Sequence, residues 1–118
     1  MQRNFSIFDQ GDIVVAVLPF SDQKGSKRRP ALVISGTKYN VSSNDLVLLQ
    51  ITSVQKPGKY RVVLSGEGLE DGTLKVESQI KVDSPVAFYK KAVERKIGKI
   101  TAQKLAEVKG LVSEFYEL

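Results

Sequence analysis

Three short apolar runs, residues 13–18, 31–34 and 46–52, constrain what this chain can become more than anything else in it. Each is rich in valine, isoleucine and leucine, and each is bounded by glycine, proline or polar residues. Runs this short and this uniformly apolar fit strands covered on both faces; helices need greater length and a polar side. Gly11-Asp12 marks the turn into the first run and Pro19-Phe20 marks its end. A polar loop over 21–28 follows, with Gly25 and several cations, and Pro30 opens the second strand, which runs to Ser35. The first residue of a strand is a position where proline is tolerated. Residues 36–45, rich in Gly, Asn and Ser, read as loop.

The pattern continues in the same style. Lys56-Pro57-Gly58-Lys59 is a turn by composition and leads into a strand over 60–64. Residues 65–72 hold three glycines and three acids and read as loop. Segments 73–76 and 79–82 look like two short strands or one bent strand, closed off by Pro85. Five or six short strands spaced by turns predict a mainly β fold, a small barrel or a strongly curved sheet. The tail changes period. Leu105, Val108, Leu111, Val112 and Phe115 recur at helical spacing between charged residues, with Thr101 as N-cap. This predicts a C-terminal helix laid on the sheet or on a second subunit. Residues 86–96 read as a further short helix.

At 118 residues the chain is expected to form one domain spanning 1–118. It has no cysteine, which excludes disulfides and thiolate metal sites, and no histidine, which removes the usual proton shuttle near neutral pH. The net charge of +5 favours a polyanionic partner, nucleic acid above all, or an acidic protein. Residues 1–10 lack the charged, apolar, small-residue order of a secretory leader, and no apolar run approaches membrane-spanning length. A cytoplasmic protein is expected.

Lys27-Arg28-Arg29 runs straight into Pro30 and the strand behind it. A guanidinium anchored at a strand end offers a planar, permanently charged fork at a fixed place, which suits a phosphate. Lys24, Lys27 and Arg28 are candidates to bind substrate beside it. For any one of these three alone, a solvated loop is the simpler reading. Ile51-Thr52-Ser53 ends the third strand with two hydroxyls, and only one of these can share a pleat with a given neighbour. The acids Glu67, Glu70 and Asp71 lie in a glycine loop and read as solvated, so no metal or other cofactor is expected.

These pieces, taken in order, resemble the MazF/PemK family of toxin endoribonucleases, in its PemK-like branch. The matching segments are Gly11-Asp12-Ile13-Val14, Arg29-Pro30-Ala31-Leu32-Val33-Ile34-Ser35, Ile51-Thr52-Ser53, Gln79-Ile80-Lys81 and Ile97-Gly98-Lys99-Ile100. The resemblance implies an SH3-like barrel with a C-terminal helix, assembled as a homodimer. It implies cleavage of single-stranded RNA and neutralisation by a cognate antitoxin, for which an acidic C-terminal segment is expected. It assigns catalysis to Arg29 and Thr52, with Gln79 near the RNA. Lys24 and Ser78 stand where several members carry acids, which leaves Asp22, Glu77 or the substrate's own phosphate as proton carrier. Two other readings stay open: a non-catalytic nucleic-acid-binding module, and a protein-directed toxin of the related CcdB type acting on a topoisomerase.

Overall fold

The computed structural model describes residues 7–20 and 24–118. Seven strands form one antiparallel sheet: β1 (Asp12–Pro19), β2 (Ser26–Val33), β3 (Asp45–Thr52), β4 (Arg61–Leu64), β5 (Leu69–Asp71), β6 (Ser78–Tyr89) and β7 (Arg95–Ile100). Their order across the sheet is β4-β6-β3-β2-β1-β7-β5. The expected mainly β architecture with a C-terminal helix is present. The sheet curls in the SH3-like manner without closing, so that β4 and β5 remain its edges.

Two apolar layers explain why the strand runs are hydrophobic on both sides. One face gathers Ile13, Leu32, Leu49, Ile51, Val62, Leu64 and Ile80 under the helix α2 (Ala102–Phe115), whose Val108 is fully buried among them. The other gathers Val14, Ala16, Leu18, Ala31, Val33, Leu46 and Leu48, with Phe8 packed beneath. Thr101 caps α2 as expected, its hydroxyl accepting the backbone N–H of Lys104 at 3.1 Å.

Several boundaries differ from the sequence reading, each for a tertiary reason. β2 begins at Ser26, so Lys27 and Arg28 lie in a strand and not in a loop; their partners Leu18 and Val17 on β1 extend the ladder that far. Residues 37–42 form a short helix, α1 (Thr37–Ser42), where a loop was expected. Asn40 is buried there, its amide donating to the carbonyls of Phe8 at 2.8 Å and Ser35 at 3.0 Å. Residues 66–68 form a 3-10 turn and 69–71 the strand β5, while 73–76 is no strand. β7 has no counterpart in the expected strands, and the helical reading of 86–96 shrinks to a 3-10 turn at 90–92.

Pro85 does not end β6 but sits inside it, opposite Leu49. β4 pairs with β6 only over Ser78 to Lys81, so beyond that stretch β6 has one open side, where the missing N–H of proline breaks no ladder. Gly72, at φ +86°, crosses β7 so closely that an added Cβ would stand 2.3 Å from the Ile97 carbonyl oxygen. Only glycine fits there.

Candidate functional site

The sheet opens where two ladders fail. β2 and β3 hydrogen-bond no further than Ala31 opposite Gln50, while β2 stays on β1 out to Ser26. Two residues past that last pair come Arg29 on one strand and Thr52 on the other, both on the same pleat side. Between β3 and β6 the register jumps: Leu49 faces Pro85, yet Ile51 faces Ile80, so one residue on β3 spans four on β6. This bulge turns Gln50 and Lys81 toward the same opening, a role bulges often serve beside sites. The result is a cavity of about 370 Å³ lined by Phe20, Arg29, Gln50, Thr52, Val54, Lys56, Arg61 and Lys81.

The lining is cationic. Among the described residues that line it, four are Arg or Lys and none is a carboxylate. The guanidinium of Arg29 stands over the Phe20 ring at 5.7 Å, and its Nε is buried with no hydrogen-bond partner among the described residues. An unsatisfied buried donor of this kind costs about 1–3 kcal/mol. The Thr52 hydroxyl accepts the backbone N–H of Val54 at 3.1 Å, which leaves its own hydrogen to donate. Lys81 donates to Oε1 of Gln50 at 3.2 Å. Burial holds its ammonium below the usual lysine range, and Arg61 pushes the same way; Asp83 pulls it back.

The other expected site residues fall out differently. Arg28 points to the opposite pleat and forks onto Glu94, with its Nε and one terminal nitrogen 2.6 and 2.9 Å from the two carboxylate oxygens. Arg28 therefore sits apart from the cavity, because alternate strand residues face opposite sides. Ser53, next to Thr52, is exposed and off the cavity for the same reason. Lys27 shares the side of Arg29 but lies further out, exposed, and Lys24 is exposed at the loop end. Gln79 is buried, and its amide serves Lys56 and Arg61 instead of opening to the cavity. Glu77 is exposed and outside the cavity lining. Asp22 lies outside the described residues.

Sequence reasoning missed Gln50, Lys56, Arg61 and Lys81. Lys81 was visible as the last residue of Gln79-Ile80-Lys81, and its alternation with Gln79 was the signal that could have placed it. Among the described residues no group of three or more His, Cys, Asp or Glu side chains could hold a metal ion, and no helix is long and apolar enough to cross a membrane.

A family model for the PemK-like, MazF-like toxin of type II toxin–antitoxin systems matches residues 9–116. The chain belongs to that family. Among solved structures, this PemK/MazF-family chain is similar to one from the MazE–MazF complex of Deinococcus radiodurans, at 26% identity and a TM-score of 0.76, covering 95% of this chain and 98% of that one. An endoribonuclease from a mycobacterial species gives the same TM-score at 14% identity, over 95% and 93% of the two chains. The Mycobacterium tuberculosis toxin MazF-mt6 follows at 15% and 0.71, over 89% and 97%. At such identities the last two speak for the shared fold alone. A search of curated proteins returned no match. In this PemK/MazF-family chain Arg29 and Thr52 lie on the pleat side of Ala31 and Leu48, opposite the layer that holds Val108 of α2.

Proposed function

We propose that this toxin-family chain is an endoribonuclease that cuts single-stranded RNA by attack of a 2′-hydroxyl on the adjacent phosphate. The observation that carries this reading is the cavity itself: Arg29 and Thr52, far apart in sequence, line one cationic opening. Attack by O2′ builds a dianionic phosphorane. Arg29 supplies a charged fork for two of its oxygens, and Thr52 donates to a third or orients the 2′-hydroxyl. Each well-placed donor of this sort contributes roughly 10²–10³ in rate. Nothing in the proposed step requires a metal ion or organic cofactor.

The solved relatives include an endoribonuclease in complex with its cognate antitoxin and MazE–MazF complexes. By analogy we assign this chain a cognate antitoxin, and the chemistry of the cavity says how it would be blocked. An acidic segment that folds on binding would compete with RNA for Arg29, Lys56 and Arg61. Action in the cytoplasm as a homodimer completes the reading.

The test is incubation of the pure protein with a mixed-sequence RNA in the presence of a chelator, with the cut ends mapped. Cyclic-phosphate and 5′-hydroxyl termini are expected, together with their loss in Arg29→Ala. Salt-sensitive binding with no product would replace the reading by a non-catalytic nucleic-acid binder. Inhibition of DNA supercoiling with RNA left whole would favour a toxin directed at a topoisomerase.

A further inference from the structure

We propose that Lys81 is the proton donor to the leaving 5′-oxygen, an assignment that rests on the ribonuclease reading above. RNA cleavage by this route leaves two proton transfers to be accounted for, and the cavity offers few groups to make them. Among the described residues that line it none is a carboxylate, and the chain has no histidine. A guanidinium does not release a proton at working pH, which leaves arginine to stabilise charge and not to transfer protons. Lys56 stands exposed at the rim, whereas Lys81 is half-buried in the wall.

The fold fixes Lys81 in that wall from both sides. Its backbone pairs with Arg61 on β4, at the first residue of the bulge in β6. Its Nζ is held by Oε1 of Gln50 on β3 at 3.2 Å, which ties one of its three ammonium protons. The charged groups around it are Arg61 on β4, Arg29 on β2, Lys56 in the loop after β3 and Asp83 on β6 itself. Burial and the three cations disfavour the ammonium, and Asp83 favours it; the net effect is a lysine more acidic than usual. Such a group gives up a proton more readily than an ordinary lysine.

The step balances as follows. O2′ bonds to phosphorus and its proton passes to water. The P–O5′ bond breaks, its electron pair stays on O5′, and that oxygen takes a proton from the Lys81 ammonium. The products are a 2′,3′-cyclic phosphate and a 5′-hydroxyl, and the Lys81 amine regains a proton from solvent.

The decisive experiment compares an RNA oligonucleotide having the natural 5′-oxygen with one having sulfur at that bridging position, since a thiolate leaves without protonation. Lys81→Arg, which keeps the charge but not the transferable proton, should slow the oxygen substrate by about 10²–10⁴-fold and leave the sulfur substrate near the wild-type rate. Equal slowing of both substrates, or none of either, overturns the assignment. Wild-type protein supplies a second measurement that needs no variant. Its rate on the oxygen substrate should fall on an alkaline limb that is absent with sulfur; the same limb with both, or with neither, overturns the assignment. If wild-type protein cuts neither substrate, it is the ribonuclease reading that fails.

Discussion

The side-chain amide of Gln79 grips the backbone of Lys56 from both sides: its Oε1 accepts the Lys56 N–H at 3.2 Å, and its Nε2 donates to the Lys56 carbonyl at 3.0 Å. The same Oε1 accepts from a terminal nitrogen of Arg61 at 2.9 Å. One buried residue on β6 thereby sets the position of two cations of the cavity. Gln79→Ala should cost about 1–3 kcal/mol of stability, because the partners lose an acceptor in a half-buried place. Urea denaturation checks the stability. Cleavage should fall through KM as well as kcat, since Lys56 and Arg61 are displaced together. A variant of unchanged stability would mean that the loop holds itself.

Neighbouring arginines should behave oppositely. Arg29→Lys keeps a positive charge but loses the fork, and its cleavage rate is expected to drop by roughly 10²–10³. Arg28→Ala removes a side chain already committed to Glu94 on the other pleat, and should leave kcat/KM unchanged. Single-turnover kinetics on one RNA distinguish them. A loss in Arg28→Ala equal to that in Arg29→Lys would show that charge, and not placement, governs the site.

Thr52→Val preserves the shape of the β3 end and deletes the hydroxyl. It leaves the Val54 N–H without its acceptor and removes a donor from the cavity. Cleavage should fall by roughly 10²-fold, and Thr52→Ser should restore most of it. Failure of serine to restore the rate would point to the methyl group, and so to packing.

Thr101→Ala removes the cap of α2, whose hydroxyl accepts the Lys104 N–H. The expected loss is about 1 kcal/mol, read as a lower denaturant midpoint. Because α2 covers the face opposite the cavity, cleavage per folded molecule should stay the same.

Lys99 provides a pH test of the fold. A hydrogen bond to Asp9, supported by the nearby Asp12, raises its folded-state pKa above the usual lysine range. The contribution of this contact is therefore fully present below the unfolded-state value near 10.4 and is lost as pH rises through the raised one. Thermal unfolding from neutral to strongly alkaline pH should show a loss that is smaller in Lys99→Met. Identical pH profiles for the two proteins would remove Lys99 from the account.

The apolar runs, the turn at Lys56-Pro57-Gly58-Lys59 and the stripe of α2 were all legible in the sequence, because alternation, period and turn chemistry act within a few residues. Thr101 as a cap was legible for the same reason: the bond it makes spans three residues. Local composition misled at α1, where Gly, Asn and Ser suggested a loop. The long contact from Asn40 to Phe8 shows what composition cannot carry. The strand start at Ser26 likewise depended on β1 being alongside.

For the site, the residue types determined its charge and its lack of histidine and cysteine, and the order of the motifs determined the family. Which cations meet was decided only in three dimensions. Arg28 and Arg29 are adjacent in sequence, yet pleating sends one to Glu94 and the other to the cavity. Gln50, Arg61 and Lys81 come from three strands and converge only because a register jump between β3 and β6 opens the sheet there. A strand's hydrogen bonds are made to a partner distant in the chain, so neither the pairing nor its breaks are written in local sequence.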